Sequence, residues 1–268
     1  MSSAVYSDID RKMELIRARL ERDENLLQDF NSRLDVSWIY HDNALEGVVL
    51  TYHELRASID EEIISDATLI PSYEDVKHHK ASIEFVRQSA AKRKPPIGLE
   101  FLKRIYQLLN DEPVPKATKE KAKAPSAVQT VGLYRRDNPL HRLYFHEIAP
   151  PEKIGYHMRK LGQWLATEEV RRLHPVRRAA QAHHKLIGIY PWPKHSGRIA
   201  RLLMNAMLLR DGYLPAVIHA IERQRYYEVL RHPPGALTTL VAESLNSTLD
   251  AALRYLEEVD AQGLRAAS

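Results

Sequence analysis

Apolar residues recur at Ile9, Met13, Ile16, Leu20, Leu27, Phe30 and Leu34 with charged residues between them. That three-to-four-residue spacing lays one apolar stripe along a helix, so 9–34 is expected to be helical and amphipathic, long enough for a helix hairpin or a dimer contact. A second helix is expected over 36–47, stopped by Gly47. Thr51 with Glu54 three residues on forms a capping box for the next. Ser72 and Asp75 open a long helix that runs to the basic cluster before Pro95-Pro96. A short periodic helix follows at 99–109. Residues 110–130 hold Pro113, Pro115, Pro125 and several lysines without periodicity, which predicts a mobile loop. The mixed segment 140–148, ahead of Pro150-Pro151, predicts a β-hairpin or extended flap. Helices resume at 152–166, 175–190 (with Pro175 in the first turn) and 196–209, the last ended by Gly212. Two more are expected at 218–230 and, after Pro233-Pro234-Gly235, at 237–259.

Composition supports a chain built almost wholly of helix. Among 268 residues glycine is scarce (10) and cysteine absent, which excludes a disulfide framework and thiolate metal sites and agrees with a reducing cytoplasm. The first eight residues lack a basic-then-apolar lead and no run of about twenty apolar residues occurs, so neither a signal peptide nor a membrane span is expected. The formal charge of +4 is small for this length. Basic runs at 92–94 and 116–123 read as solvated loops rather than a nucleic-acid surface, because no recognition module accompanies them.

One segment carries the chemistry. Ile189 to Arg201 reads as a helix end, a tight loop over Pro191 to His195, and a new helix opening on Ser196-Gly197-Arg198-x-x-Arg201. A helix N-terminus offers unpaired N–H groups and about half a positive charge, and two arginines three apart share a face that can grip phosphate oxygens.

These letters resemble the signature of the Fic (Fido) family, His-Pro-Phe-x-(Asp/Glu)-Gly-Asn-Gly-Arg-x-x-Arg, aligned on Tyr190-Pro191-Trp192-Pro193-Lys194-His195-Ser196-Gly197-Arg198-Ile199-Ala200-Arg201. Gly132-x-Tyr134-Arg135, His183, Leu202 to Asn205 and Gly212-Tyr213 match the surroundings, so the similarity spans about 37–230. Asp42-Asn43-Ala44-Leu45-Glu46-Gly47 is similar to the family's inhibitory helix, Ser/Thr-x-x-x-Glu-Gly/Asn. The resemblance implies that Glu46 pairs with Arg201 and obstructs the γ-phosphate of ATP, although Asp42 stands where a hydroxyl residue is usual. It further implies transfer of AMP from ATP to a protein hydroxyl, with a flap (Leu140, Arg142, Tyr144) that positions the target. The implied fold is mainly α: an N-terminal helical region 1–95, a core 96–232 with a short hairpin, and a C-terminal helix 233–268.

The departures fall on the chemistry. Tyr190 replaces the base histidine, and a phenol titrating near pH 10 is a poor proton acceptor at pH 7. Lys194 replaces the acid that holds Mg²⁺, a cation that wants oxygen donors, so Mg²⁺ is not expected to bind in the usual way. His195 and Ser196 add bulk where backbone should approach phosphate. Lys194, Ser196, Gly197, Arg198 and Arg201 remain the candidate phosphate binders for ATP or another nucleotide. Tyr190 and His195 are the candidates for handling a proton. The plainer readings are that Tyr190 is a core aromatic, His195 a polar loop residue, and the two arginines partners of Glu46 or another carboxylate. His183-His184 and His78-His79 are adjacent pairs that diverge on a helix, so no metal site is expected. The expectation is therefore a divergent, cytoplasmic Fic-type nucleotidyltransferase (protein AMPylation) with weak or lost activity and a surviving nucleotide pocket. The alternative is a pseudoenzyme that binds or regulates a protein partner through the flap. A changed donor or reaction, such as phosphoryl transfer or phosphodiester cleavage, is a weaker third idea, and a homo-oligomer stays open.

Overall fold

The computed structural model describes residues 3–60, 70–111, 134–139 and 146–267, with side chains to 262. The expected mobile loop therefore lies largely outside the described residues. So does most of the flap, including Leu140, Arg142 and Tyr144; its last three residues, 146–148, are not strand, and no strand occurs among the described residues.

The N-terminal pattern divides differently from expectation. Helix α1 covers Ser3–Leu20 and α2 runs unbroken over Glu24–Leu45. The break falls at residues 21–23, where Asp23 caps α2 by accepting from the N–H groups of Asn25 and Leu26. Nothing between Leu34 and Val36 stops a helix, and Trp38, Ile39 and Leu45 continue the buried stripe. Gly47, at φ +90, ends this stretch in the left-handed region that glycine enters without strain. Helix α3 (Tyr52–Ile59) begins with the expected capping box: Glu54 N–H donates to Thr51 Oγ1 at 3.2 Å, and Thr51 N–H to Glu54 Oε2 at 2.7 Å.

Helix α4 (Ile70–Lys92) starts two residues ahead of Ser72, and α5 (Leu99–Leu109) has the expected bounds. Then come a 3-10 turn at Pro151–Lys153, α6 (Ile154–Leu165), a single turn α7 (Glu168–Arg171), α8 (Pro175–Ile189) and α9 (Ser196–Arg210). A further 3-10 turn (Ala220–Glu222) leads into α10 (Arg223–Val229), and α11 extends over Pro234–Ala267, longer than its apolar pattern suggested.

Helix α9 is the axis of the molecule. All residues from Ser196 to Leu208 are buried, so α9 is covered on every side, and α8 and α4 supply most of the cover. Ile199, Leu202 and Leu203 are fully buried, each worth about 1.5–3 kcal/mol of transfer free energy. Helix α11 closes the far side against α1 and α8. The polar N-terminal turn of α9 is therefore carried into the interior, where its arginines must find partners. Among the described residues no helix is long and apolar enough to cross a membrane.

Candidate functional site at the opening of helix α9

The loop between α8 and α9 is held in an unusual backbone shape. Tyr190 (φ 49, ψ 61) and His195 (φ 61, ψ 7) both adopt left-handed conformations, which cost about 1–2 kcal/mol each for residues with a Cβ. Arg135 offsets this. Its backbone N–H donates to Pro191 O at 2.9 Å and its Nε to Tyr190 O at 2.7 Å, while Nη1 donates to Asn138 Oδ1 and Nη2 to Ala149 O. Ala149 N–H donates to Gly188 O at 2.9 Å, and the His146 ring contacts Ile187 O at 3.1 Å. Residues 134–138 and 146–149 thus clasp the end of α8 from two sides.

Within the loop, Ser196 Oγ accepts from Trp192 N–H and donates to Trp192 O, both at 2.9 Å. Its hydroxyl is committed to closing the turn, which leaves only its backbone to meet a ligand. Trp192 is buried and stacks on Tyr106 with ring centroids 5.4 Å apart, an offset pairing that aromatic rings favour. Tyr190 is buried with its backbone under Arg135. Pro193 and Lys194 are exposed, and His195 is half-buried. Burial first, then the nearby Arg198 charge, pushes the His195 imidazole down to about 4, so it is neutral at pH 7.

The first turn of α9 meets the C-terminal turn of α2 and the first turns of α4. Arg198 donates through Nη1 to Asp75 Oδ1 (2.8 Å) and through Nη2 to Asn43 Oδ1 (2.9 Å). Arg201, 1 % exposed, donates through Nε to Asp42 Oδ1 (2.6 Å), through Nη2 to Glu46 Oε1 (2.9 Å) and through Nη1 to the Tyr226 hydroxyl (3.4 Å). His79 Nε2 lies 3.2 Å from Asp42 Oδ2, and the His183 ring lies 3.0 Å from the Tyr226 hydroxyl. Burial alone would raise the Asp42 carboxyl. The Arg201 charge and the His79 contact outweigh it and hold that carboxyl well below the usual carboxylate range. The same exchange raises the Arg201 guanidinium against its own burial.

The structure therefore brings Glu46, Gly197, Arg198 and Arg201 into one cluster, with His195 at its edge and Lys194 on the exposed side of the loop. A Cβ on Gly197 would stand 2.6 Å from Glu46 Oε1, so this carboxylate rests against the opening of α9, where an anion is favoured. Asn43, Asp75, His79 and Tyr226 join the cluster although the sequence assigns none of them to the site. The signal available for two of them was the spacing of Asp75 and His79, four apart and hence on one face of α4.

Any Mg²⁺ would have to be held by the residues of this loop, and they do not fit it. Lys194 brings an ammonium to the position where an oxygen donor is needed, and the carboxylates nearest the loop, Glu46 and Asp75, are paired with Arg201 and Arg198.

The model of the Fic/DOC family matches residues 96–208. A protein adenylyltransferase Fic from Nematostella vectensis is 27% identical over 219 residues, covering 80% of this chain and 48% of the relative. Another from Culex quinquefasciatus is 28% identical over 200 residues, covering 73% and 36%. The chain thus spans half or less of the length of these curated relatives. Among solved structures, a Fic domain containing signaling protein from Bacteroides thetaiotaomicron superposes with a TM-score of 0.73 at 24% identity, covering 92% of this chain and 97% of that one. Fic-1 from C. elegans superposes with a TM-score of 0.74 at 21% identity, covering 97% and 74%. Residues 96–208 thus carry the Fic/DOC family match, and the helical fold is that of Fic-domain structures.

Proposed function

We propose that this chain is a divergent, self-obstructed member of the Fic family that keeps a phosphate-binding cradle at the opening of α9 and has weak or no ordinary AMP-transfer activity. The observation that carries the reading is the position of Glu46. Its carboxylate lies on Arg201 and against Gly197, so an internal anion stands where the polyphosphate of ATP would lie. Arg198, Arg201, Gly197 and the backbone of Ser196 are the groups that would hold that polyphosphate, with Lys194 free to reach it from the solvent side.

In AMP transfer a target hydroxyl oxygen bonds to the α-phosphorus, the bond to the β-phosphate's bridging oxygen breaks, and pyrophosphate leaves. The hydroxyl proton must go to a base. Tyr190 supplies a buried phenol, and His195 an imidazole weakened by burial. General-base help is worth roughly a hundred- to ten-thousand-fold, and most of it would be missing here. The loop offers no carboxylate for Mg²⁺, with Lys194 standing at the acid's position.

Two experiments test this. Calorimetric titration with ATP and a panel of other nucleotides should give saturable binding to some form of the protein, abolished in Arg198→Ala. Replacing Tyr190→His, Lys194→Asp, His195→Gly and Ser196→Asn together should raise labelling of protein by ATP above that of the natural chain. Absence of nucleotide binding in every folded variant would favour the second reading, a pseudoenzyme that captures a protein partner through the flap. The observation in favour of that reading is the commitment of the Ser196 hydroxyl to Trp192.

A further inference from the structure

The cluster at α9 holds a second carboxylate that the Glu46 pairing does not require. Asp42 lies on α2 one helical turn before Glu46, the residue that caps it, and takes a different nitrogen of the same guanidinium: Arg201 Nε donates to Asp42 Oδ1 at 2.6 Å, Nη2 to Glu46 Oε1 at 2.9 Å and to Asp42 O at 3.4 Å. The Asp42 side chain is 4 % exposed against 20 % for Glu46, so water screens its contact less. His79, itself fully buried, sits 3.2 Å behind the second Asp42 oxygen.

Charge adds an independent argument. The buried cations Arg198 and Arg201 face the three carboxylates Asp75, Asp42 and Glu46, and the set carries a net charge of −1. Removing Glu46 brings it only to neutrality. A polyphosphate would then meet two arginines whose charges are already answered from within. A net positive cradle appears only when Asp42 is neutralised as well.

We propose that Asp42 is a second inhibitory residue, so that Arg201 stays locked when Glu46 is removed and the cradle accepts a polyphosphate only after both carboxylates have let go. This rests on the nucleotide-pocket reading above. Asp42 acts through Arg201 and touches no substrate, which makes it a positioning residue. Release in the natural chain then requires the C-terminal turn of α2 to withdraw, because rotating the Glu46 side chain alone leaves Arg201 held by the Asp42 side chain at Nε and by the Asp42 backbone at Nη2.

The test is calorimetric titration with ATP, with and without Mg²⁺, into the natural chain, Glu46→Gly, Asp42→Asn and the double variant. Asp42→Asn keeps the side-chain size and one acceptor for Arg201 while deleting the charge. Each single change should alter ATP affinity less than about threefold, and the double change should raise it on the order of tenfold to a hundredfold, the size of one charge-assisted contact regained. A full gain in Glu46→Gly alone overturns the proposal. Leu245→Ala, a buried truncation on α11, controls for loss of stability and should leave ATP affinity unchanged; a gain there as large as in the double variant would also overturn it. Hydrogen exchange over 38–45 reads the lock without nucleotide. Protection should persist in Glu46→Gly and fall more than tenfold in the double variant, whereas loss in Glu46→Gly alone removes the lock. If exchange behaves as expected and the folded double variant still ignores ATP, the second lock stands and the nucleotide reading fails.

Discussion

The Glu46 carboxylate and the Gly197 backbone occupy each other's space so closely that a methyl group on Gly197 would lie 2.6 Å from Oε1. Gly197 has an ordinary helical backbone, and its lack of a side chain is what lets the carboxylate settle at the helix opening. The obstructing atom is the end of a flexible side chain, so Gly197→Ala should shift Glu46 rather than break the fold. Alanine also gains up to about 1 kcal/mol of helix propensity over glycine. We expect urea denaturation to place Gly197→Ala within about 1 kcal/mol of the natural chain. A loss above about 3 kcal/mol, the range of a buried ion pair broken rather than shifted, would show that the carboxylate cannot move.

The Arg201–Asp42 pair gives a sharper energetic test. Arg201→Met strips the cation from beneath a buried carboxylate and should lower stability by about 3–5 kcal/mol, the usual consequence of leaving a buried charge unpaired. Neutralising both members with apolar groups, Arg201→Met with Asp42→Leu, should recover most of that loss, because the desolvation penalty of both ions disappears together. Glu46 tolerates the change by turning toward solvent. Denaturant midpoints of the two variants decide the matter, and a double variant no more stable than Arg201→Met would mean that other contacts of these two residues outweigh their pairing.

The helical elements were legible wherever spacing and caps spoke together. Thr51 with Glu54 marked α3, and Pro175 marked the start of α8, because each signal is local and mechanical. The division of 9–47 was misjudged since Gly47 is a visible stop whereas the true break rests on Asp23 acting as a cap inside an otherwise helical pattern. At the site, the motifs point to Glu46, Gly197, Arg198 and Arg201, whereas nothing in the sequence assigns Asn43, Asp75, His79 or Tyr226 a part in it. Their importance comes from α9 being buried on all sides, so that its arginines need partners from three other helices. That demand exists only in three dimensions. The commitment of the Ser196 hydroxyl to Trp192 was equally invisible, because a serine at a helix opening looks the same whether it meets a ligand or its own loop.

Arg135 ties the loop to its surroundings through its Nε contact with Tyr190 O at 2.7 Å and its forked contacts with Asn138 and Ala149. Arg135→Ala should cost about 2–4 kcal/mol, since several buried carbonyls lose a charged donor at once. Arg135→Lys should not restore it, because an ammonium cannot reproduce the planar fork. Limited proteolysis should show faster cutting between 134 and 149 in both variants. Protection in Arg135→Lys equal to that of the natural chain would show that charge alone suffices.

Acid should loosen the protein before its carboxylates titrate. His41, pushed down to about 4 by burial and by the stacked His219 ring 4.3 Å away, accepts a hydrogen bond from Ala220 N–H through Nδ1 at 3.1 Å, which protonation would abolish. His195 is pushed down to about 4 as well, and burial lowers His79 and His183 too. In each case the unfolded chain binds the proton more readily, with an ordinary imidazole pKa near 6.5. The stabilisation is therefore complete above about pH 6.5 and is lost progressively as pH falls toward about 4. Asp42 acts in the same direction at lower pH: its folded value lies below the ordinary carboxylate value of 3.8, so its contribution is intact across that window and declines only in stronger acid. The melting temperature should be flat from about pH 8 to 7 and then drop by on the order of 5 °C or more by about pH 4.5. His41→Gln, which removes one of these imidazoles, should flatten that slope. A melting temperature unchanged across that acid range would mean that these rings take up protons in the folded chain as easily as in water.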